Sequence, residues 1–227
     1  MKKNSNILIT GGTGSFGSRF IPMTLEKYNP ERLVVFSRDE IKQWDMQKVY
    51  QNDSRVRFFI GDVRDKERLK IAMENVNYVF HAAALKQVPS SEYNPFETVK
   101  TNIIGSQNVI EIALENNIDK VLALSTDKAS SPYNLYGATK LCADKLFIAA
   151  NNVSGNRKIS FSVLRYGNVF GSRGSVIETF LKSKNNNIFN ITDKRMTRFN
   201  ITIKEAIERA VYSLYISQGE ELSLIHI

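Results

Sequence analysis

The chain has 227 residues, 42% hydrophobic and 24% charged, with 31 Lys+Arg against 23 Asp+Glu and a formal net charge of +8. At roughly 150 residues per domain this is about one and a half globular domains, which excludes wholesale disorder. A single cysteine, Cys142, excludes an internal disulfide and a cysteine-rich zinc site, and two histidines, His81 and His226, argue against a histidine-based one.

In chain order, short apolar, β-branched runs alternate with amphipathic stretches. The runs are Ile7–Ile9, Leu33–Phe36, Val56–Ile60, Tyr78–Phe80, Val121–Leu124 and Ile159–Leu164. Between them the spacing predicts helices over Ser18–Tyr28, Asp39–Tyr50, Lys66–Glu74, Gly105–Asn116 and Tyr136–Asn151. Strands alternating with helices imply βαβ units, and near-continuous apolar strands are those covered on both faces. The expected fold class is α/β, a Rossmann-type doubly wound parallel sheet over residues 1–166. After Gly167 the rhythm changes: a helix over Ser175–Lys184, a short strand near Ile188 and a helix over Lys204–Ser217 are expected to form a smaller, incomplete C-terminal substrate lobe over 167–227. No apolar run reaches the ~20 residues of a bilayer span, and the apolar stretch after Met1-Lys2-Lys3 ends too soon for a signal peptide. The expectation is a cytoplasmic protein without a membrane segment.

Gly11, Gly14 and Gly17 form G-x-x-G-x-x-G between the first strand and the first helix. Glycines there permit a tight turn and close backbone approach to a pyrophosphate, and the helix N-terminus supplies free N–H groups. Thr13, Ser15 and Phe16 lie in the same turn. The second strand runs into Ser37-Arg38-Asp39, with Lys42 one turn on. A hydroxyl and a guanidinium suit a 2′-phosphate and favour NADP; the alternative is that Asp39 binds the ribose 2′-hydroxyl of NAD. Asp62-Val63 and His81-Ala82-Ala83-Ala84 follow the third and fourth strands, at the carboxyl ends where open α/β sheets bind ligands. Asp62 suits the adenine amino group, and the alanines allow close passage of the cofactor. His81 is read as satisfying loop backbone.

Tyr136 and Lys140 are Y-x-x-x-K on a predicted helix, four residues apart and so on one face. A neighbouring ammonium favours the phenolate, which makes a base near neutrality. Thr126, ten residues earlier at a strand end, can share the same substrate oxygen. Asp127 and Lys128 follow it directly. Hydride chemistry alone needs only the tyrosine, so a further acid–base pair points to a second proton transfer; a solvated loop is the alternative.

These motifs, with Gly61–Asp65, His81–Lys86, Arg165–Val169, Gly171–Ser175, Thr192-Asp193 and Arg195–Phe199, occur in the order seen in extended short-chain dehydrogenases/reductases. The chain most resembles the inverting UDP-N-acetylglucosamine 4,6-dehydratases of pseudaminic acid biosynthesis and flagellin glycosylation, from about residue 4 to about residue 221. Membrane-anchored and capsular relatives carry methionine where this chain has Tyr136. The resemblance implies that Tyr136 deprotonates the sugar 4-hydroxyl, that NADP takes hydride from C4, and that Asp127 and Lys128 act as acid and base, in either order, in eliminating the 6-hydroxyl. It also implies a UDP-sugar substrate held by Lys86, Asn168, Arg173 and Arg198, cofactor contacts from Tyr136, Lys140 and Val169, and a homo-oligomer.

Two features depart from that pattern. Asn200 stands where an aromatic is usual, and Ser223–Ile227 does not match, so the chain reads as truncated within the substrate lobe. Three competing functions remain. One is a nucleotide-sugar epimerase or reductase using only Thr126, Tyr136 and Lys140. Another is an inactive NADP-binding subunit. The third is a nucleic-acid binder, which the scattered basic residues disfavour.

Overall fold

A computed structural model describes residues 4–172, 180–181 and 193–219, and the backbone of 222–224. Arg173, Thr192, the strand expected near Ile188 and all but Phe180 and Leu181 of the helix expected over 175–184 lie outside the described residues. The strands β1 (Asn6–Thr10), β2 (Arg32–Ser37), β3 (Val56–Ile60), β4 (Tyr78–His81), β5 (Lys120–Thr126) and β6 (Ser160–Tyr166) form a parallel sheet in the order 3-2-1-4-5-6. That order reverses between β1 and β4, where a doubly wound sheet opens a crevice at its carboxyl edge.

The strands are apolar throughout because successive side chains enter two different cores. Ile7, Ile9, Leu33, Val35, Leu122 and Leu124 point to one face, and Leu8, Val34, Phe36, Val121 and Ala123 to the other. On the first face they meet Phe16, Phe20, Ile21 and Leu25 of α1 (Ser15–Tyr28), beside α2 (Glu40–Tyr50). On the second they meet α3 (Lys66–Ala72), α6 (Gly105–Glu115) and α7 (Leu135–Val153) through Leu69, Val109, Ile112 and Phe147. Two short helices, α4 (Val88–Tyr93) and α5 (Pro95–Val99), and a π-helical turn over Lys100–Ile104 precede α6. None of the three has an apolar period long enough to read in sequence.

The helix α8 (Ile203–Ile216) departs from the expected domain division. Ala206, Ile207, Ala210, Val211 and Leu214 bury its apolar stripe in the first core, against β5 and β6 and beside α1. The strand β9 (Leu222–Leu224) then pairs with β6, parallel, Val163 opposite Leu222, as the seventh strand of the same sheet. Helical periodicity reports that a stripe is covered, not by what, so a βαβ unit of the main sheet was read as part of a second lobe. The helix starts on a capping box: Thr202 accepts from the Glu205 N–H at 3.2 Å, and the Glu205 carboxylate accepts from the Thr202 N–H at 2.9 Å. Of residues 167–201, the described part adds a two-stranded parallel pair, β7 (Asn168–Val169) with β8 (Asn200–Ile201), at the mouth of the crevice.

Candidate active site

A cleft of about 650 Å³ follows the carboxyl ends of β1, β2, β4, β5 and β6. Gly11 sits at φ +66°, a conformation that L side chains rarely adopt, and a Cβ there would press on the Ala83 backbone at 3.0 Å. The turn closes with Gly14 N–H donating to the Gly11 carbonyl at 2.9 Å, and α1 begins at Ser15. No side chain caps this helix and no acid lies in its first turn, so its first N–H groups are left for an anion. The Thr13 and Ser37 hydroxyls meet at 2.6 Å and tie the turn to the end of β2. Ser15 and Phe16 also line the cleft. Gly17 does not: it packs on the Gly12 backbone inside α1, so the third glycine of the motif acts through packing and not through ligand contact.

At the adenine end, Arg38, Asp39, Lys42, Asp62 and Val63 line the wall. Asp39 is the N-cap of α2, accepting from the Lys42 N–H at 2.9 Å, and its other oxygen pairs with the Lys42 ammonium. Its carboxylate is therefore engaged with its own helix. Arg38 reaches Asp62 at 3.4 Å, and Arg64 holds the same carboxylate through Nε and Nη2 at 3.0 and 2.7 Å. Burial pushes the Asp62 carboxyl up, but the Arg64 hydrogen bonds and the Arg38 and Arg64 charges outweigh it and leave it below the usual range. Asp62 is thus an acceptor, as binding an exocyclic amine requires.

His81 lies buried under the crevice. The Ser106 hydroxyl donates to the Asn102 carbonyl at 2.7 Å, so it accepts from His81 Nε2–H at 3.2 Å, and Nδ1 accepts from Thr10 at 2.8 Å. The Thr10 oxygen in turn accepts from the N–H groups of Ala82 and Ala83, at 3.1 and 3.2 Å. Burial and the Lys140 charge push the imidazole down to about 3, so it stays neutral. His81 therefore fixes the Ala82–Ala84 segment that lines the cleft, as the reading of satisfied loop backbone expects.

The catalytic candidates converge on α7 and the end of β5. Asn134 caps α7 by accepting from the Gly137 N–H at 2.8 Å. Gly137 lies so close to the turn Asp127–Ala129 that a Cβ would fall 2.3 Å from the Lys128 carbonyl. A bare helix face thus brings Tyr136 and Lys140 against Thr126, Asp127 and Lys128. Thr126 donates to Asp127 at 3.0 Å, and Lys128 Nζ donates to Asp127 at 3.0 Å and to Asn168 Oδ1 at 3.2 Å. Thr126, Lys128, Tyr136, Lys140, Asn168 and Val169 all line the cleft.

The expected depression of Tyr136 by Lys140 is not what the geometry gives. Burial pushes the Tyr136 phenol up to about 12; the Thr126 hydroxyl opposes this, and Asp127 and Asp144 add to it. Lys140 Nζ donates to the Leu124 carbonyl at 2.9 Å, and burial pushes its own value down against the pull of Asp144. Four-residue spacing places both side chains on one face but does not set where the ammonium points.

On the substrate side Lys86 is exposed and lines the cleft. Arg198 is exposed, donates to the Thr197 carbonyl at 2.8 Å, and is not among the lining residues. Thr101, Ser125, Tyr166 and Asn102 were not singled out in the sequence. The first three line the cleft. Asn102, on the π-helical turn, clamps both the N–H and the carbonyl of Leu85, at 2.8 and 2.9 Å, and donates to Thr139 of the catalytic helix at 3.1 Å. A lone buried asparagine gives no sequence signal of its partner.

Residues 7–227 match the family model described as "Polysaccharide biosynthesis protein". The chain is 53% identical over 224 residues to a Campylobacter jejuni protein (strain 81-176) named UDP-N-acetylglucosamine 4,6-dehydratase (inverting), spanning 98% of this chain and 67% of that protein. It is 44% identical over 223 residues to a Rickettsia bellii protein (strain OSU 85-389) named UDP-glucose 4-epimerase, spanning 96% of this chain and 65% of that one. The crystal structure of Pen from Bacillus thuringiensis superposes with a TM-score of 0.94 at 41% identity, over 99% of this chain and 70% of Pen.

Proposed function

The chain belongs to the polysaccharide biosynthesis protein family, and we propose that it is a lyase, a UDP-N-acetylglucosamine 4,6-dehydratase that inverts C5 and uses bound NADP as a recycled cofactor. The observation that carries this reading is the Asp127–Lys128 pair, hydrogen-bonded at 3.0 Å, whose Lys128 lines the same cleft as Tyr136 and Lys140. The uncapped start of α1 and the glycine cradle fit a dinucleotide pyrophosphate. Ser37 and Arg38 fit a 2′-phosphate, and the engagement of Asp39 with the start of α2 and with Lys42 supports NADP over NAD. A nicotinamide dinucleotide held by the glycine turn would supply a hydride acceptor for the sugar C4 and a hydride donor for C6, with no net change in its own oxidation state.

The chain's own residues move the protons. Tyr136 takes the 4-hydroxyl proton while Thr126, whose hydroxyl opposes the burial that holds the phenol at about 12, shares the oxygen; a bound cationic cofactor ring would lower the phenol further. The resulting 4-ketone acidifies H5. Lys128 removes that proton, and Asp127 protonates the departing 6-hydroxyl. This assignment takes a proton from Lys128 to Asp127 across their hydrogen bond; the exchanged assignment, with carboxylate as base and ammonium as acid, does not. Reprotonation of C5 on the opposite face gives the inverted UDP-4-keto-6-deoxy-hexosamine.

Lys86, Asn168, Arg173 and Arg198 bind the UDP-sugar, with part of the +8 charge serving two pyrophosphates. The same reading makes the protein a cytoplasmic homo-oligomer of pseudaminic acid biosynthesis that uses no nucleic acid. No described helix is long and apolar enough to cross a membrane.

The Rickettsia relative's name supports a second reading, a nucleotide-sugar 4-epimerase. It would use Thr126, Tyr136 and Lys140 and leave Asp127 and Lys128 idle. NMR of the sugar after incubation with UDP-N-acetylglucosamine and NADP separates them. A C6 methyl beside a 4-ketone supports the dehydratase; an intact C6 hydroxymethyl with inverted C4 supports the epimerase.

A further inference from the structure

Behind the catalytic face lies a buried ion pair that the proposed steps do not use. Tyr136, Lys140 and Asp144 are four residues apart on α7 and so share one face. Each engages the last residues of β5. Lys140 Nζ donates to the Leu124 carbonyl, Ser125 Oγ donates to Asp144 Oδ2 at 2.9 Å, and Tyr136 interacts with the Thr126 hydroxyl. Arg165, near the end of β6, donates Nε to the same Asp144 oxygen at 2.7 Å, and the two side chains are 8% and 1% exposed.

Two features separate this pair from a structural bridge. Both donors to the carboxylate, Ser125 and Arg165, bear on one oxygen, and Asp144 Oδ1 is buried with no hydrogen-bond partner among the described residues. A carboxylate placed only for stability gains from satisfying both oxygens, and an unpaired one costs free energy. Its charge is also felt by both members of the catalytic pair, Lys140 and Tyr136. In a low-dielectric interior such charges act over several ångströms with less screening than in water.

We propose that Asp144 and Arg165 are positioning residues that set the ionisation of Tyr136 and Lys140 with two opposed buried charges, while Asp144 also fixes Ser125 beside Thr126. This rests on Tyr136 being the base. The other titratable or charged groups facing the pair are His81 from β4, Asp127 and Lys128 from the turn after β5, and Tyr166 from β6. The cluster of Lys140, Asp144 and Arg165 carries one net positive charge, which a Tyr136 phenolate neutralises.

The two substitutions act with opposite sign. Asp144→Asn removes a negative charge and leaves Arg165 uncompensated, which favours loss of a proton from both Tyr136 and Lys140. The acid limb of the kcat/KM profile, from Tyr136, and the alkaline limb, from Lys140, both move down by about 1 pH unit. Arg165→Gln leaves Asp144 uncompensated and moves both limbs up by about the same amount. Arg165→Lys keeps both limbs in place, and the double variant returns them toward the starting profile. Loss of packing alone lowers activity without moving limbs in opposite directions.

The experiment measures these profiles on the full chain with NADP and UDP-N-acetylglucosamine, alongside the tyrosinate absorbance difference against Tyr136→Phe. Opposite shifts support the proposal; limbs that stay put, or move the same way in both variants, overturn it. Where either variant fails to fold, Ser125→Ala replaces it. Removing that donor from the carboxylate moves both limbs in the Arg165→Gln direction by less, and unmoved limbs again overturn the proposal. Full activity in Tyr136→Phe overturns instead the reading on which the proposal rests.

Discussion

At the adenine end of the cleft, Arg38, Asp62, Arg64, Glu97 and Lys100 form a chain of ion pairs along the rim, with side chains 20–50% exposed. At the catalytic end, Lys140, Asp144 and Arg165 lie beneath the surface, each under 10% exposed. Exposed pairs are screened, contribute on the order of 0–1 kcal/mol, and can exchange partners when a phosphate arrives. Buried charges are fixed in place by their hydrogen bonds and act on the ionisation of their neighbours. On the proposed function, two similar sets of residues do different work: one recognises a ligand, the other prepares a base.

Substitutions at the catalytic end give the largest effects. Tyr136→Phe keeps the ring and removes the proton acceptor, and kcat falls by about 10³-fold in a turnover assay while NADP-dependent thermal stabilisation persists. Loss of that stabilisation would instead assign Tyr136 to cofactor binding. Asp127→Asn lowers formation of the 4-keto-6-deoxy product by about 10²-fold, and the same variant retains reduction of the bound cofactor by the sugar, followed by the absorbance of NADPH. An equal loss of both would merge the two proton-transfer steps into one.

The rim responds more weakly. Arg38→Ala raises the NADP dissociation constant by about 10-fold and leaves that of NAD within a factor of two, measured by calorimetry. Added salt narrows the difference, because the site is open to solvent. An equal loss for both cofactors would place Arg38 outside 2′-phosphate recognition.

A smaller effect concerns His81, which connects the two ends through Thr10 and Ala82–Ala84. Its value is about 3 folded and 6.5 as a free side chain. A folded value below the unfolded one means that its contribution is complete above pH 6.5 and is lost as pH falls toward 3. Stability drops by about 1.4 kcal/mol by pH 5.5 from this group alone. Denaturant melts of His81→Gln at the same pH values lack that slope; an unchanged slope would assign the acid sensitivity elsewhere.

The core strands were legible because a parallel strand covered on both faces is an uninterrupted apolar run. Val56–Ile60 coincides with its run, and the others differ by one or two residues at an end. The short helices α4 and α5 and the π-helical turn were not legible, since polar segments of five or six residues carry no period. The amphipathic stripe of α8 was legible, but not that it covers β5 and β6 and leads into β9. At the site, the glycine turn and the Thr126–Lys128 and Tyr136–Lys140 motifs were found because local spacing defines them. Asp144 was within reach, eight residues beyond Tyr136 on the same face. Arg165 and Asn102 were not, because their partners lie 21 and 17 to 37 residues away. Arg198 is exposed and outside the described lining of the cleft, so its part in substrate binding rests on the family motif.

The central claim is that Asp127 and Lys128 add an elimination to the hydride chemistry of Tyr136 and Lys140. Incubation of the protein with UDP-N-acetylglucosamine and NADP in D₂O, followed by mass spectrometry and NMR of the product, tests it most directly. The account predicts loss of one water from the sugar, a C6 methyl, a 4-ketone and one solvent deuterium at C5. A product of unchanged mass, epimerised at C4 with hydrogen retained at C5, would contradict it.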